Sequence, residues 1–152
     1  HSHQPGRRVE PVGYLILFAD GLHNLLGGLA VGGAFVIDTD LGIVTWAIAA
    51  AHEVPQELGD FGVLVKSGWS KRAALAYNFA SALTFPLGGM IAYAISGGID
   101  IAWFLPFAAG NFLYIGAADL IPQLRAEDLK AQLVQFGAFV LGLGLLLGVA
   151  FA

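Results

Sequence analysis

The chain has 152 residues, of which 57% are hydrophobic and only 12% are charged, and its formal net charge is −4. A mean hydropathy of +0.75 is too high for an ordinary soluble domain of this size, so the composition indicates an integral membrane protein. The sequence offers no basic face for nucleic acid. Because it contains no Cys, disulfides and thiolate metal ligands are excluded.

Five apolar blocks follow one another along the sequence. Each is close to the roughly 20 residues that a helix needs to cross the hydrocarbon core, and none alternates as a spanning β-strand does. We therefore predict an all-α membrane protein with five transmembrane helices in a single domain over residues 1–152. The predicted spans cover about 12–37, 41–65, 73–96, 101–122 and 132–152.

The loops between these blocks alternate between loops with basic residues and loops without any. The alternate loops contain Asp38, Asp40 and Asp100 and no basic residue. By the positive-inside rule, the N-terminus is expected in the cytoplasm and the C-terminus outside, with the cell membrane as the location. The seven basic residues all fall on the predicted cytoplasmic side: Arg7, Arg8, Lys66, Lys71, Arg72, Arg125 and Lys130.

Acidic side chains inside the apolar blocks are the main functional signal. An ionised carboxylate at the bilayer centre costs at least about 2.5–3.5 kcal/mol, so such residues tend to face a bundle interior or a watery cavity. The blocks hold no Lys or Arg to neutralise them, and the missing positive charge is most simply a mobile cation. The acids concerned are Asp20, Glu53, Glu57, Asp60 and Asp119.

Two polar stripes indicate where that cation binds. Asp20, His23, Asn24 and Gly27 share less than a third of the circumference of the first predicted helix. A lone membrane histidine is more often a helix–helix hydrogen-bond partner than a ligand, but two facing stripes predict a site. Imidazole with carboxylate favours Zn²⁺, Fe²⁺ or Mn²⁺ over Ca²⁺ or Mg²⁺. The second stripe, within about 140°, comprises His52, Glu53, Gln56, Glu57 and Asp60.

Pro55 lies within the second stripe. Its ring clashes with the carbonyl of Ala51 and removes one backbone hydrogen bond. Carbonyls freed beside a cavity can coordinate cations in transporters, although an ordinary membrane-helix kink explains a lone proline equally well.

Two segments of the sequence resemble a known family. Residues 23–32, HNLLGGLAVG, are similar to the H-N-F-x-D-G-x-A-I-G motif in the fourth membrane helix of the ZIP family of divalent metal transporters. Residues 52–61, HEVPQELGDF, are similar to the fifth-helix motif H-E-[IV]-P-H-E-L-G-D-F. Further matches lie at 78–83 and at 110–115, continuing through Asp119 and Pro122. The resemblance covers essentially the whole chain, as helices four to eight of an eight-helix bundle.

The resemblance implies a binuclear metal site midway across the membrane, with uptake toward the cytoplasm. His23, His52 and Gln56 would serve one metal, and Asn24, Glu53 and a shared Gln56 the other. Zinc is the expected cargo, with Fe²⁺, Mn²⁺ and Cd²⁺ as alternatives, and no catalytic cofactor is expected. Further polar residues are expected along the pathway or around the ligands: Asp20, Glu57, Asp60, Asn78 and Asp119.

Three departures from the family pattern qualify this expectation. Gly27 stands where the family usually has an acid, Gln56 where it often has His or Glu, and Gln123 where Glu is common. The first two remove a strong ligand from the same metal position, so that position should be weaker. Asp20, Glu57 and Asp60 are candidates to compensate as carboxylates along the pathway or around the ligands, although hydrogen bonding in helix packing explains Asp20 and Asp60 equally well.

The sequence has no initiator Met and matches only five of the eight helices, so we expect it to be a piece of a longer chain. In the family, helices four and five lie between two three-helix bundles. One wall of the pathway would then be absent here. The stripe of Asp20, His23 and Asn24 would be partly open until a preceding three-helix segment covers it. Besides lipid and metal, a second copy in a homodimer is a candidate partner.

Two other functions remain open at this point. One is an intramembrane metallohydrolase, because residues 52–56, HEVPQ, fall one ligand short of the H-E-x-x-H zinc signature. The other is a metal sensor or paralogue without transport, which the losses at Gly27 and Gln56 favour. We expect a transporter rather than an enzyme.

Overall fold

A computed structural model describes residues 9–115 and 128–150, and they are helical throughout apart from short connections. The chain divides after Leu105 into two units. The first holds α1 (Pro11–Ile37), α2 (Thr39–Lys66), α3 (Lys71–Ala82), α4 (Thr84–Ile95) and a 3-10 turn (Ile101–Trp103). Helix α5 (Phe104–Ile115) begins at the division, and α6 (Leu129–Ala150) belongs to the second unit.

These helices occupy the predicted apolar blocks, with one block divided. Within the described ranges, two helical stretches are long and apolar enough to cross a membrane, Pro11–Ile37 and Lys71–Ile95. Helix α2 has the length but carries Glu53, Glu57 and Asp60 in its second half. The prediction of an all-helical protein is confirmed for the described part of the chain.

The helix boundaries follow from local chemistry. Helix α1 begins at Pro11, a position where a backbone N–H would have no partner within the helix, so the missing N–H of proline costs nothing. Asp38 separates α1 from α2. The Asp38 carboxylate accepts from the backbone N–H groups of Asp40 at 2.9 Å and Leu41 at 3.0 Å, which caps α2. Helix α2 ends before Gly68, whose φ of 103° suits a residue without Cβ.

The third predicted span is interrupted at Leu83, which sequence patterning did not indicate. Pro86 has no N–H to offer the carbonyl of Ala82, the last residue of α3. Immediately after the break, the Thr84 hydroxyl donates to the Gly21 carbonyl of α1 at 2.6 Å. The start of α4 is thus tied to α1.

Helix α1 lies at the centre of the first unit and packs against α2, α3 and α4. Its contact with α4 is made by glycines. A Cβ added to Gly28 would overlap the Phe85 carbonyl, and one added to Gly88 would overlap the Leu25 carbonyl. A Cβ on Gly32 would lie 2.8 Å from the Cα of Gly89. We call Gly28, Gly32, Gly88 and Gly89 the glycine seam. It lets the two backbones approach closely, as in lipid-embedded helix pairs.

Candidate metal centre

A neighbouring face of α1 presents polar groups to α2. His23 and His52 lie on these two neighbouring helices, and their Nε2 atoms are 3.4 Å apart. Glu53 Oε1 lies 3.4 Å from His23 Nε2 and 3.2 Å from His52 Nε2. Among the described residues, this trio forms the group whose ligand atoms all fall within 4.8 Å of one another. We call it the histidine cluster.

A contact with the backbone determines which ring nitrogen of His52 carries the proton. Its Nδ1 lies 3.1 Å from the carbonyl of Ile48, one turn earlier in α2. A carbonyl only accepts, so Nδ1 must carry the proton, and Nε2 of the neutral ring presents its lone pair to the cluster. This is the tautomer that metal-ligating histidines adopt when the other ring nitrogen is held by a carbonyl.

Glu53 supplies the negative charge of the cluster. Both of its carboxylate oxygens are buried and neither makes a hydrogen bond of good geometry within the described part of the chain. Burying a carboxylate in this way is costly unless a cation is near it. The arrangement therefore suits a divalent cation held by two imidazole nitrogens and one carboxylate, a donor set typical of zinc.

Asn24 and Gln56 lie next to the histidine cluster but point to a carboxylate. Asn24 Nδ2 donates to Asp20 Oδ1 at 2.9 Å, and Gln56 Nε2 donates to the same oxygen at 3.3 Å. The expectation from the family resemblance pairs Glu53 with Asn24. In this structure Glu53 Oε1 lies close to Nε2 of both histidines.

Three of the residues expected around the ligands extend this polar region. Asn78 of α3 donates through Nδ2 to the Glu57 carbonyl at 3.1 Å and to Glu57 Oε2. Asp60 lies one turn beyond Gln56 and is half-buried. Asp119 lies outside the described residues, as do Pro122 and Gln123.

The polar stripe of α1 is covered by the described helices themselves. Asp20 is 3% exposed, His23 8% and Asn24 2%. The expectation that this stripe would be partly open is wrong, because the stripe faces inward where α2 and α3 pack against α1. The stripe of α2 is only half-buried.

Two features of this region were missed at the sequence level. The first is the Ile48 carbonyl, which a helical count of four residues back from His52 could have suggested. The second is Phe85. A Cβ at Gly27 would lie 3.1 Å from Phe85 Cε2, so the ring of an α4 residue borders the position where the family usually has an acid. Pro55 lies inside α2, which continues through it as helix.

Comparison with known proteins gives a consistent assignment. The family model described as ZIP zinc transporter matches residues 1–150. The chain is 35% identical over 151 residues to the zinc transporter foi of Drosophila melanogaster, covering 97% of this chain and 21% of that protein. It is 38% identical over 133 residues to the Caenorhabditis elegans zinc transporter zipt-7.2, covering 84% of this chain and 29% of that protein.

A mammalian relative shows the same pattern. The chain is 38% identical over 154 residues to the Rattus norvegicus zinc transporter SLC39A7, covering 95% of this chain and 32% of that protein. The chain thus spans about a fifth to a third of the length of these relatives. Their names describe transporters, which agrees with the expectation of a transporter rather than an enzyme. No solved structure matches the chain.

Proposed function

The chain belongs to the ZIP zinc transporter family, and we propose that it forms the metal-conducting part of an integral membrane protein that moves divalent transition metals across the bilayer. Zinc is the proposed cargo, with Fe²⁺, Mn²⁺ and Cd²⁺ as secondary candidates. The observation that carries the proposal is the convergence of His23 Nε2, His52 Nε2 and Glu53 Oε1 within 4.8 Å.

The composition of the site supports transport of the metal rather than its permanent retention. Structural zinc sites are closed by four strong protein ligands, whereas the histidine cluster offers three. Its members come from two helices that meet through side chains, so a small displacement of α2 against α1 would open the site. Such a site can release its ion to the next position along the transport pathway.

We further propose that the site is binuclear and lies near the middle of the membrane. His23, His52 and Gln56 serve one metal, and Asn24, Glu53 and Gln56 serve the other. Glu53 borders both positions, because its Oε1 lies 3.4 Å from His23 Nε2 and 3.2 Å from His52 Nε2. The proximity of Asn24 and Gln56 to the same Asp20 oxygen supports a second position beside the histidine cluster.

The membrane arrangement is also a proposal. Helices α1 and α2, the interrupted pair α3 and α4, and the regions of α5 and α6 supply five spans of an eight-helix bundle, preceded by a three-helix segment. The loop charges favour a cytoplasmic N-terminus, an external C-terminus and uptake toward the cytoplasm through the cell membrane. A homodimer is a further candidate assembly.

Zinc flux through the reconstituted full-length protein tests the proposal. Vesicles loaded with a zinc-sensitive dye should show saturable uptake, and His52→Ala should lower it at least about tenfold, because a ligand with a fixed tautomer is lost. Thr45→Val is the matched control on α2, since its hydroxyl donates to the Leu41 carbonyl of the same helix at 2.7 Å.

Two outcomes would contradict the proposal. Zinc binding without any flux in the unmodified protein would favour a sensor. Peptide or lipid hydrolysis that is abolished by Glu53→Gln would favour a metallohydrolase.

A further inference from the structure

The connection between α2 and α3 carries three exposed basic residues. Lys66 is the last residue of α2, and Lys71 and Arg72 are the first two of α3. The ion pairs within the described part of the chain lie at the histidine cluster, so none of these bases has a carboxylate partner there. We call Lys66, Lys71 and Arg72 the basic turn.

Hydrogen bonds order the backbone that carries these bases. The Ser67 hydroxyl donates to the Leu64 carbonyl at 2.8 Å, and the Ser70 hydroxyl accepts from the Ala73 N–H at 3.2 Å. The N–H of Glu10 donates to the Ser67 carbonyl at 2.8 Å, which attaches the start of α1. Three helices therefore hold the basic turn in place.

The surroundings leave the basic turn with a net positive charge. Glu10 is exposed beside it and offsets at most one of the three charges. The nearest acid along α2 is Asp60, six residues or about 9 Å of helix before Lys66, and α3 contains no acid. The remaining positive charge has no counterpart within the described ranges.

Aromatic rings beside the basic turn indicate its depth in the bilayer. Trp69, only 7% exposed, makes edge contacts with the rings of Tyr14 at 5.1 Å and Tyr77 at 5.0 Å between centroids. Tyr14 and Tyr77 are themselves 59% and 55% exposed. Such rings are enriched where membrane helices leave the hydrocarbon, because an apolar ring there meets acyl chains while its polar group meets headgroups. The bases next to them therefore lie at headgroup level.

We propose that the basic turn binds the phosphate-bearing headgroup of an anionic phospholipid in the adjacent leaflet. The Arg72 guanidinium can donate to two phosphate oxygens at once, and the two lysines add compact positive charges. The rings of Tyr14 and Tyr77 offer apolar contact to the lipid below its headgroup. This inference rests on the proposed function only in placing the chain in a bilayer.

The experiment uses full-length protein reconstituted in phosphatidylcholine vesicles with increasing fractions of labelled phosphatidylserine. A photo-crosslinking amino acid at Leu75 reports lipid beside the basic turn, because Leu75 is 62% exposed and lies one helical turn after Lys71. Crosslinking should be saturable. Lys66→Gln and Lys71→Gln should each raise the phosphatidylserine fraction at half saturation about fivefold, the factor expected for one base near an anionic surface. Lys71→Arg keeps the charge and should leave the fraction unchanged.

Lys130→Gln is the matched control. It removes the same charge from an exposed position near the start of α6 and should leave half saturation unchanged. An equal rise in Lys130→Gln and Lys71→Gln would overturn the proposal, since it would reflect the overall charge. So would unchanged half saturation in a protein that lacks all three bases. Inorganic phosphate at constant ionic strength should not reduce crosslinking, and displacement by it would contradict the assignment to a lipid.

Zinc flux in the same vesicles distinguishes this inference from the proposed function. Unchanged half saturation in the basic-turn variants together with normal flux would refute lipid binding and leave transport standing. The expected crosslinking pattern in a protein without flux would refute transport and leave the lipid site standing.

Discussion

Helix α1 has two faces that are built on opposite principles. Toward α4 it presents the glycine seam, where backbone meets backbone and no side chain fits between. Toward α2 it presents His23, Asn24 and Asp20, whose contacts are made between polar side chains. The first face depends on shape alone, and the second depends on which donors, acceptors or cations are present.

This difference separates stability from binding within one helix. In lipid there is little hydrophobic driving force between helices, so close backbone packing has to hold the pair together. Polar contacts between membrane helices contribute less, on average about 0.6 kcal/mol each. We therefore expect the glycine face to determine whether the unit folds and the polar face to determine which ion it binds.

The largest effect should come from Gly28→Leu. A Cβ there overlaps the Phe85 carbonyl, which is backbone and cannot rotate away, so α1 and α4 must separate. We expect loss of the folded protein in detergent, measured by thermal melting and gel filtration. Gly59→Ala is the matched control, because an added Cβ there has no described atom within 4 Å. An unchanged melting temperature for Gly28→Leu would contradict the statement that the glycine face determines whether the unit folds.

Glu53→Gln should show most clearly that stability and metal binding depend on different contacts. Removing a buried negative charge, which the sequence from Pro11 to Val65 leaves without a Lys or Arg, should stabilise the metal-free protein by about 1 kcal/mol or more, and should lower zinc affinity at least about tenfold. Thermal melts with and without zinc measure both effects. Asp40→Asn, at the exposed start of α2, controls for loss of a negative charge. Equal losses of stability with and without zinc would contradict the prediction.

Gly27→Asp should raise metal affinity by a smaller factor, of about several-fold, and change the selectivity between zinc and other metals. It adds a charged oxygen one helical turn from His23, near the histidine cluster. The Phe85 ring must move by a few tenths of an ångström, since the new Cβ would lie 3.1 Å from Cε2. Calorimetric titration measures the affinity, and Gly27→Asn, of the same size but uncharged, should show no gain. Equal metal affinities for the unmodified protein, Gly27→Asp and Gly27→Asn would contradict the prediction.

The smallest effect should come from Asp38→Ala, which belongs to neither face. It removes the cap of α2, whose carboxylate accepts from Asp40 and Leu41, and should cost about 1 kcal/mol of stability. Zinc affinity should stay within error. Asp38→Asn keeps a capping oxygen and should retain most of the stability. A change in zinc affinity in Asp38→Ala would show that the connection between α1 and α2 takes part in binding.

Residue spacing predicted much of the polar face but little of the glycine face. Helical periodicity placed His23 and Asn24 on one stripe and His52 and Glu53 on another, and the structure brings these stripes together. Periodicity could not show that Glu53 turns toward the histidines, because that depends on a side-chain rotamer. Nor could it identify the Ile48 carbonyl as the partner of His52.

The glycine content indicated close helix packing without showing where it occurs. Glycines occur in all five predicted spans, and only coordinates show that Gly28 meets Phe85 and that Gly88 meets Leu25. The interruption at Leu83 was missed because hydropathy is continuous across it. Pro86 was the available signal, since a proline removes the hydrogen bond to the residue four positions earlier.

The interruption at Leu83 also identifies a candidate hinge. Helix α4 is fixed to α1 by the glycine seam and by Thr84, whereas α3 is bonded to α2 through Asn78 and Glu57. A displacement of α2 against α1 would therefore pull the two halves of one span in different directions. The bend angle at Leu83 would record this displacement, and spin labels on the exposed residues Leu75 and Met90 would report it as a change in distance.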